Sequence, residues 1–156
     1  MFDRFWAWYE KHLTFNLAFA SFLFVWQLVH LYWLGAHVIA LKLTGHSYFA
    51  LTPFWLRLII IVDYTEIPAL LSTGFIYVNE LRSGFKSKSA LFLVFLLLQL
   101  FHMFWITDTF VVTAFTRGAA YVNIPPVLAW VAILIDYLEV PVMIETFRRL
   151  KRRLTQ

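Results

Sequence analysis

Asp63-Tyr64-Thr65-Glu66-Ile67-Pro68 stands in an otherwise apolar run, and it returns as Asp136-Tyr137-Leu138-Glu139-Val140-Pro141. An echo precedes each copy: Gln27-Leu28-Val29-His30 with Trp33, then Gln99-Leu100-Phe101-His102 with Trp105. Gln27, His30 and Trp33 each recur 72 positions later. Pro53, Asp63, Glu66 and Pro68 each recur 73 positions later, so one extra residue lies in the connecting loop of the second copy. The chain reads as one two-helix unit written twice, with halves at about 15–82 and 87–153. Each copy sets a Gln, a His, an Asp and a Glu in apolar surroundings. Charge in hydrocarbon is costly, so these groups need a partner or a function.

Of 156 residues, 62% are hydrophobic and 14% charged. A soluble domain is nearer half apolar and a quarter charged, so the composition points to a membrane protein. Four apolar stretches, at about 15–41, 53–79, 90–114 and 126–147, reach the roughly 20 residues that cross a bilayer. The expected fold is all-α: a polytopic membrane four-helix bundle, one transmembrane domain over 1–156, built from a parallel two-helix repeat. Residues 1–14 mix Phe2, Phe5, Trp6, Trp8 and Tyr9 with Asp3, Arg4, Glu10 and Lys11, the pattern of a short interfacial helix. The same charges, with no small-residue cleavage pattern after them, predict that no signal peptide is removed.

Pro53 and Pro125-Pro126 sit where proline costs a helix little, at its start. Pro68 and Pro141 fall inside spans and predict bends just past the acids. Ten Lys and Arg lie in the N-terminal segment, the 82–88 loop and the C-terminal tail. Three (Lys42, Arg57 and Arg117) lie on the other side, which predicts that both termini are cytoplasmic. The basic residues cluster at membrane edges and do not suggest nucleic acid. The tail Arg148-Arg149-Leu150-Lys151-Arg152-Arg153 reads as a topology anchor that would also attract anionic lipid.

His30, Asp63, Glu66, His102, Asp136 and Glu139 all fall near the middle of their spans, close to one plane. Asp63 and Glu66 are three apart and share a helix face, as do Gln27 and His30. Two His and four carboxylates are the ligand inventory of a di-iron or di-manganese carboxylate site in a helix bundle, although the Glu-x-x-His spacing of such proteins is absent. These six are the candidate metal ligands, for Fe, Mn or Zn, as one ion or a dinuclear pair. A cation would also resolve the repulsion among four carboxylates. Gln27 and Gln99 are candidate outer-shell donors to the acids. His37, one heptad past His30, and Asp108, near the outer surface, are candidates for an access path. Tyr64 and Tyr137 point off the acidic face. A bis-His haem on His30 and His102 is disfavoured, because a haem pocket wants apolar walls. The bland alternative is that the six merely pair to hold helices together. Single interhelical polar contacts contribute only about 0.6 kcal/mol, small beside the cost of each buried charge.

The chain has no cysteine, which excludes disulfides and thiolate chemistry. It has no phosphate loop, no His-Glu-x-x-His and no nucleophile elbow. Any chemistry must therefore occur within the membrane or at its edge. The leading expectation is a metal-dependent oxidoreductase, or related enzyme, acting on a lipophilic substrate. The alternatives are a divalent-metal or proton transporter using the same residues, and a lipophilic-ligand-binding or assembly subunit of a larger membrane complex. Membrane lipid is the expected surround, and a homo-oligomer is compatible with each reading. The four-span size and the midplane acids beside proline resemble the emopamil-binding and sigma-2 receptor group of sterol-binding proteins. That likeness extends to no run of residues and assigns no role to any of them.

Overall fold

Residues 2–49, 52–106 and 125–155 are described by a computed structural model, and nearly all of them are helical. No strand occurs among them. Helix α1 is Phe2–Lys11 and α2 is Leu13–Trp33. A π-helical segment, Leu34–Ile39, joins α2 without a break to the short α3, Ala40–Thr44. Next come α4, Pro53–Ser83, and α5, Ser87–Ile106. The last span is two helices, α6 at Pro126–Tyr137 and α7 at Glu139–Leu154.

The chain chemistry sets these ends. Gly45 closes α3 at φ +73°, in the left-handed region where a Cβ is disfavoured. Thr52 caps α4 by accepting from the Trp55 amide at 3.4 Å, and Pro53 follows at the first helical position. Three helical stretches are long and apolar enough to cross a membrane: Leu13–Thr44, Pro53–Ser83 and Val127–Leu154. The apolar part of α5 is shorter, Ser87–Met103. The outer end of the expected third span, with Asp108 and Arg117, lies outside the described residues.

The two prolines behave differently. Pro68 lies within one continuous helix, Pro53 to Ser83, which leaves the expected bend there untested. Pro141 does interrupt its span, but the break is at Leu138, inside the acidic tetrapeptide rather than past it. The physical reason lies one turn upstream of the proline. Its ring crowds the carbonyl four residues back, on Tyr137, and its missing N–H leaves that carbonyl without a helical partner. The chain tightens there, with the Leu138 amide bonded to Ile135 O at 2.9 Å. The π segment also had no forerunner in the sequence pattern.

Helix α2 packs against α4 and α7, α4 also against α5, and α5 against α6 and α7. Helix α1 is more than an interfacial float. Tyr9 is buried with Leu17, Ala20 and Ile76, and its hydroxyl donates to Ser72 O at 3.4 Å. Burial is inverted relative to a soluble protein. Phe15, Phe22, Tyr32, Ile61, Phe101 and Leu134 are exposed, whereas Gln27, His30, Glu66, Gln99, His102 and Glu139 are buried. An apolar exterior around a polar interior suits a helix whose surroundings are lipid.

A candidate cation site in the helix core

The six residues singled out from the sequence come together. Helix α2 contributes His30 and α4 contributes Asp63 and Glu66. Helix α5 contributes His102, and Asp136 and Glu139 flank the α6–α7 break. All six are buried. Trp33, Leu34, Ile59 and Ile133 close one side of this layer, and a larger cluster around Phe24, Ala69, Leu70, Leu96 and Val142 closes the other. Both walls are apolar, so the charges between them are weakly screened.

His30 is the hub. Its Nδ1 donates to Asp63 Oδ1 at 2.6 Å, the short distance of a charge-assisted bond. Its Nε2 lies 3.8 Å from Asp136 Oδ2, across the boundary between the two halves of the chain. It also interacts electrostatically with Glu66, Glu139 and His102. Asp136 is the second junction: His102 Nδ1 is 3.4 Å from its Oδ1, and Gln99 Nε2 donates to the same oxygen at 2.8 Å. Asp63, His30, Asp136 and His102 thus form a line of alternating acids and imidazoles.

Glu66 and Glu139 are placed differently. They interact with each other and with Asp136. Gln99 also interacts with Glu66. Yet none of the four Glu oxygens finds a donor with full hydrogen-bond geometry among the described residues. Buried polar atoms are almost always partnered, so two buried, interacting carboxyl groups this poorly supplied with donors are exceptional. Nor do any three of the acids and imidazoles, among the described residues, gather as a set of metal ligands. Their closest contacts are with one another.

The glutamines part company. Gln99 reaches a carboxylate as expected. Gln27 does not: its amide donates to Val62 O and to Thr65 Oγ1, both at 3.1 Å. The Thr65 hydroxyl in turn donates to Val62 O at 2.6 Å. Thr65 is therefore a site residue that the sequence reading missed, although its difference from Leu138 was visible in the repeat. Tyr64 and Tyr137 are equally half-exposed, off the acidic face.

His37 lies on the π segment. It stacks on Trp33 at 5.9 Å between ring centroids, and Trp33 lies 5.8 Å from the His30 ring. His37 Nδ1 donates to Ser47 Oγ at 2.7 Å, so its polar end is held by the loop after α3. The column His30–Trp33–His37 leads from the buried layer to that loop. Asp108, the other access candidate, is outside the described residues. Comparison with protein-family models, with curated proteins and with solved structures finds no match.

Proposed function

We propose that the chain is a four-helix membrane bundle made by duplicating a two-helix unit, with both termini cytoplasmic. In this reading His30, Asp63, Glu66, His102, Asp136 and Glu139 hold a divalent metal ion, and the protein is a metal-dependent enzyme acting on a lipid-soluble molecule. Burial supports the duplication. In α2 and α5, residues 72 apart are buried together: Leu17 with Ser89, Ala20 with Phe92, Phe24 with Leu96, and Leu31 with Met103. In α4 and the last span, Ala69 pairs with Val142, Leu70 with Met143, and Thr73 with Thr146, all 73 apart. The ten-to-three division of basic residues supports the orientation.

The Glu66–Glu139 pair carries the metal reading. Two buried carboxyl groups that interact with each other, and whose oxygens lack a donor in full hydrogen-bond geometry among the described residues, gain most from a shared cation. Two imidazoles and two more carboxylates in the same layer complete a mixed nitrogen–oxygen donor set suited to iron, manganese or zinc. To serve as ligands, Asp63 and Asp136 would exchange their contacts with His30 for the metal. Gln99 would stay on Asp136 and orient it. An iron or manganese ion would supply redox chemistry. The chain's own residues would fix the ion, and the apolar walls around them would exclude water.

Elemental analysis of the protein purified in detergent tests this. At least one iron, manganese or zinc per chain is expected, lost when His30 and His102 become Ala and again in the Glu66→Gln/Glu139→Gln variant. A protein that retains none of the three after supplementation with each would sink the proposal.

The line Asp63–His30–Asp136–His102 favours a second reading, a proton or divalent-cation carrier. One hydrogen bond, His30 to Asp63, and two longer acid–imidazole approaches at 3.8 and 3.4 Å cross between helices, and such a chain has the residue types of a proton relay. Uptake into proteoliposomes, abolished by Glu66→Gln and Glu139→Gln, would favour it over the enzyme.

A further inference from the structure

A second polar feature lies at the other end of the same helices and has no part in the buried layer. Glu80, near the end of α4, accepts from Ser89 at 2.5 Å and pairs with Arg149 of α7. Glu145 binds Lys88 at 2.6 Å, and Arg149 and Arg152 at 3.2 Å each. Arg149 also stacks over Tyr77 at 4.8 Å. Two carboxylates are thus shared among three cations. Arg153 has no ion-pair partner among the described residues, which leaves the cluster with an excess of two positive charges.

Beside this cluster is a cavity of about 330 Å³. Arg149, Arg152 and Arg153 line it with Asn79 and Glu80, while Leu13, Leu17 and Ile76 make its apolar part. The volume is roughly ten times a water's share of the liquid, enough for a polar headgroup and the first methylenes of a chain. Asn79 is nine-tenths buried, and its Oδ1 has no donor among the described residues. An atom in that state calls for an N–H or O–H from outside the chain.

We propose that this cavity binds an anionic phospholipid whose headgroup carries a hydroxyl. Its phosphate sits against Arg152 and Arg153, the hydroxyl donates to Asn79 Oδ1, and the chain starts along Leu13, Leu17 and Ile76. A free phosphate would meet the same arginines but leave the apolar wall of Leu13, Leu17 and Ile76 unused. The cavity lies at the end that carries ten of the thirteen basic residues, where an anionic leaflet would face it. This inference needs the chain to be in a membrane but not the metal.

Native mass spectrometry of the full chain in neutral detergent tests the site. The probes are phosphatidylglycerol, phosphatidylmethanol of the same charge without the hydroxyl, phosphatidylcholine and inorganic phosphate. One phosphatidylglycerol is expected to stay bound, more tightly than either other lipid. Each of Arg152→Gln and Arg153→Gln should weaken it about five-fold, and the double variant about 25-fold, the factor set by about 1 kcal/mol per basic residue. Asn79→Leu should erase the preference over phosphatidylmethanol. Arg152 and Arg153 are exposed, so those variants should fold and keep whatever metal the wild type holds. Equal retention by the double variant overturns the site, as does inorganic phosphate displacing the lipid at equal concentration. No preference for phosphatidylglycerol over phosphatidylmethanol in the wild type overturns the assignment to Asn79.

Discussion

The two acidic segments, Asp63–Pro68 and Asp136–Pro141, match at four of six positions yet behave differently. In the first, Thr65 anchors the turn. Its hydroxyl bonds Val62 O, and Gln27 reaches over from α2 to bond both. The helix then continues through Pro68. In the second, Leu138 stands at the Thr65 position and offers no hydroxyl. Gln99 bonds Asp136 instead, and the helix parts at Leu138. One aliphatic-for-hydroxyl difference therefore coincides with a changed glutamine partner and a changed response to proline. The result is an unequal pair of histidines. His30 bonds its own half's Asp63 closely and also approaches Asp136, whereas His102 sits at 3.4 Å from Asp136, which Gln99 already bonds.

The sharpest way to break this comparison is to remove each histidine in turn. His30→Ala takes an imidazole from both acidic segments, and should cost about 3 kcal/mol or more, in the range for breaking a buried pair. His102→Ala should cost less than His30→Ala, because its approach to Asp136 is longer and that acid keeps Gln99. Thermal unfolding in detergent measures both. Equal losses would mean that the asymmetry seen around His30 carries no energy.

Exchanging the residues at the differing position comes next. Thr65→Val keeps the shape but removes two hydrogen bonds, and should cost about 1–2 kcal/mol while freeing Gln27 for Asp63. Leu138→Thr should draw Gln99 off Asp136 and slow hydrogen exchange across 135–141. Unchanged exchange there would show that side chain 138 does not govern the break.

The prolines give the smallest effect. Pro141→Ala restores one backbone bond, so exchange at its amide turn should slow about five-fold, equivalent to about 1 kcal/mol. Pro68→Ala should change exchange far less, because α4 is already continuous. The reverse order would place the weak turn in the first half.

Much of the site could be read before any coordinates. The offsets of 72 and 73 marked like residues as counterparts, and the rule that charge avoids lipid predicted that all six turn inward, where they are buried. What the offsets could not carry was lateral reach. Nothing in the spacing says that His30 extends toward Asp136 as well as its own Asp63, because that depends on how closely α2 approaches the last span. The path of Gln27 was hidden for a different reason. A threonine hydroxyl and a backbone carbonyl compete well with a carboxylate, and the outcome is decided by fractions of an ångström. The break at Leu138 also escaped prediction, because both prolines carry the same chemistry and only one helix yields to it. In the fold, apolar length marked four stretches, three of which are helices long and apolar enough to cross a membrane, while the π segment had no compositional sign.

That segment has a geometric consequence. Each of its backbone bonds reaches one residue further than in an α-helix, so the chain winds more slowly over Leu34–Ile39 than in α2 below it. Hydrogen bonding stays continuous, so the rod does not hinge, but its winding changes partway along. The slower winding over these six residues turns His37, and the Ser47 loop bonded to it, to a different azimuth about the helix axis than an α-helix would give them. The π segment thus sets the direction from which the Ser47 loop meets the His30–Trp33–His37 column.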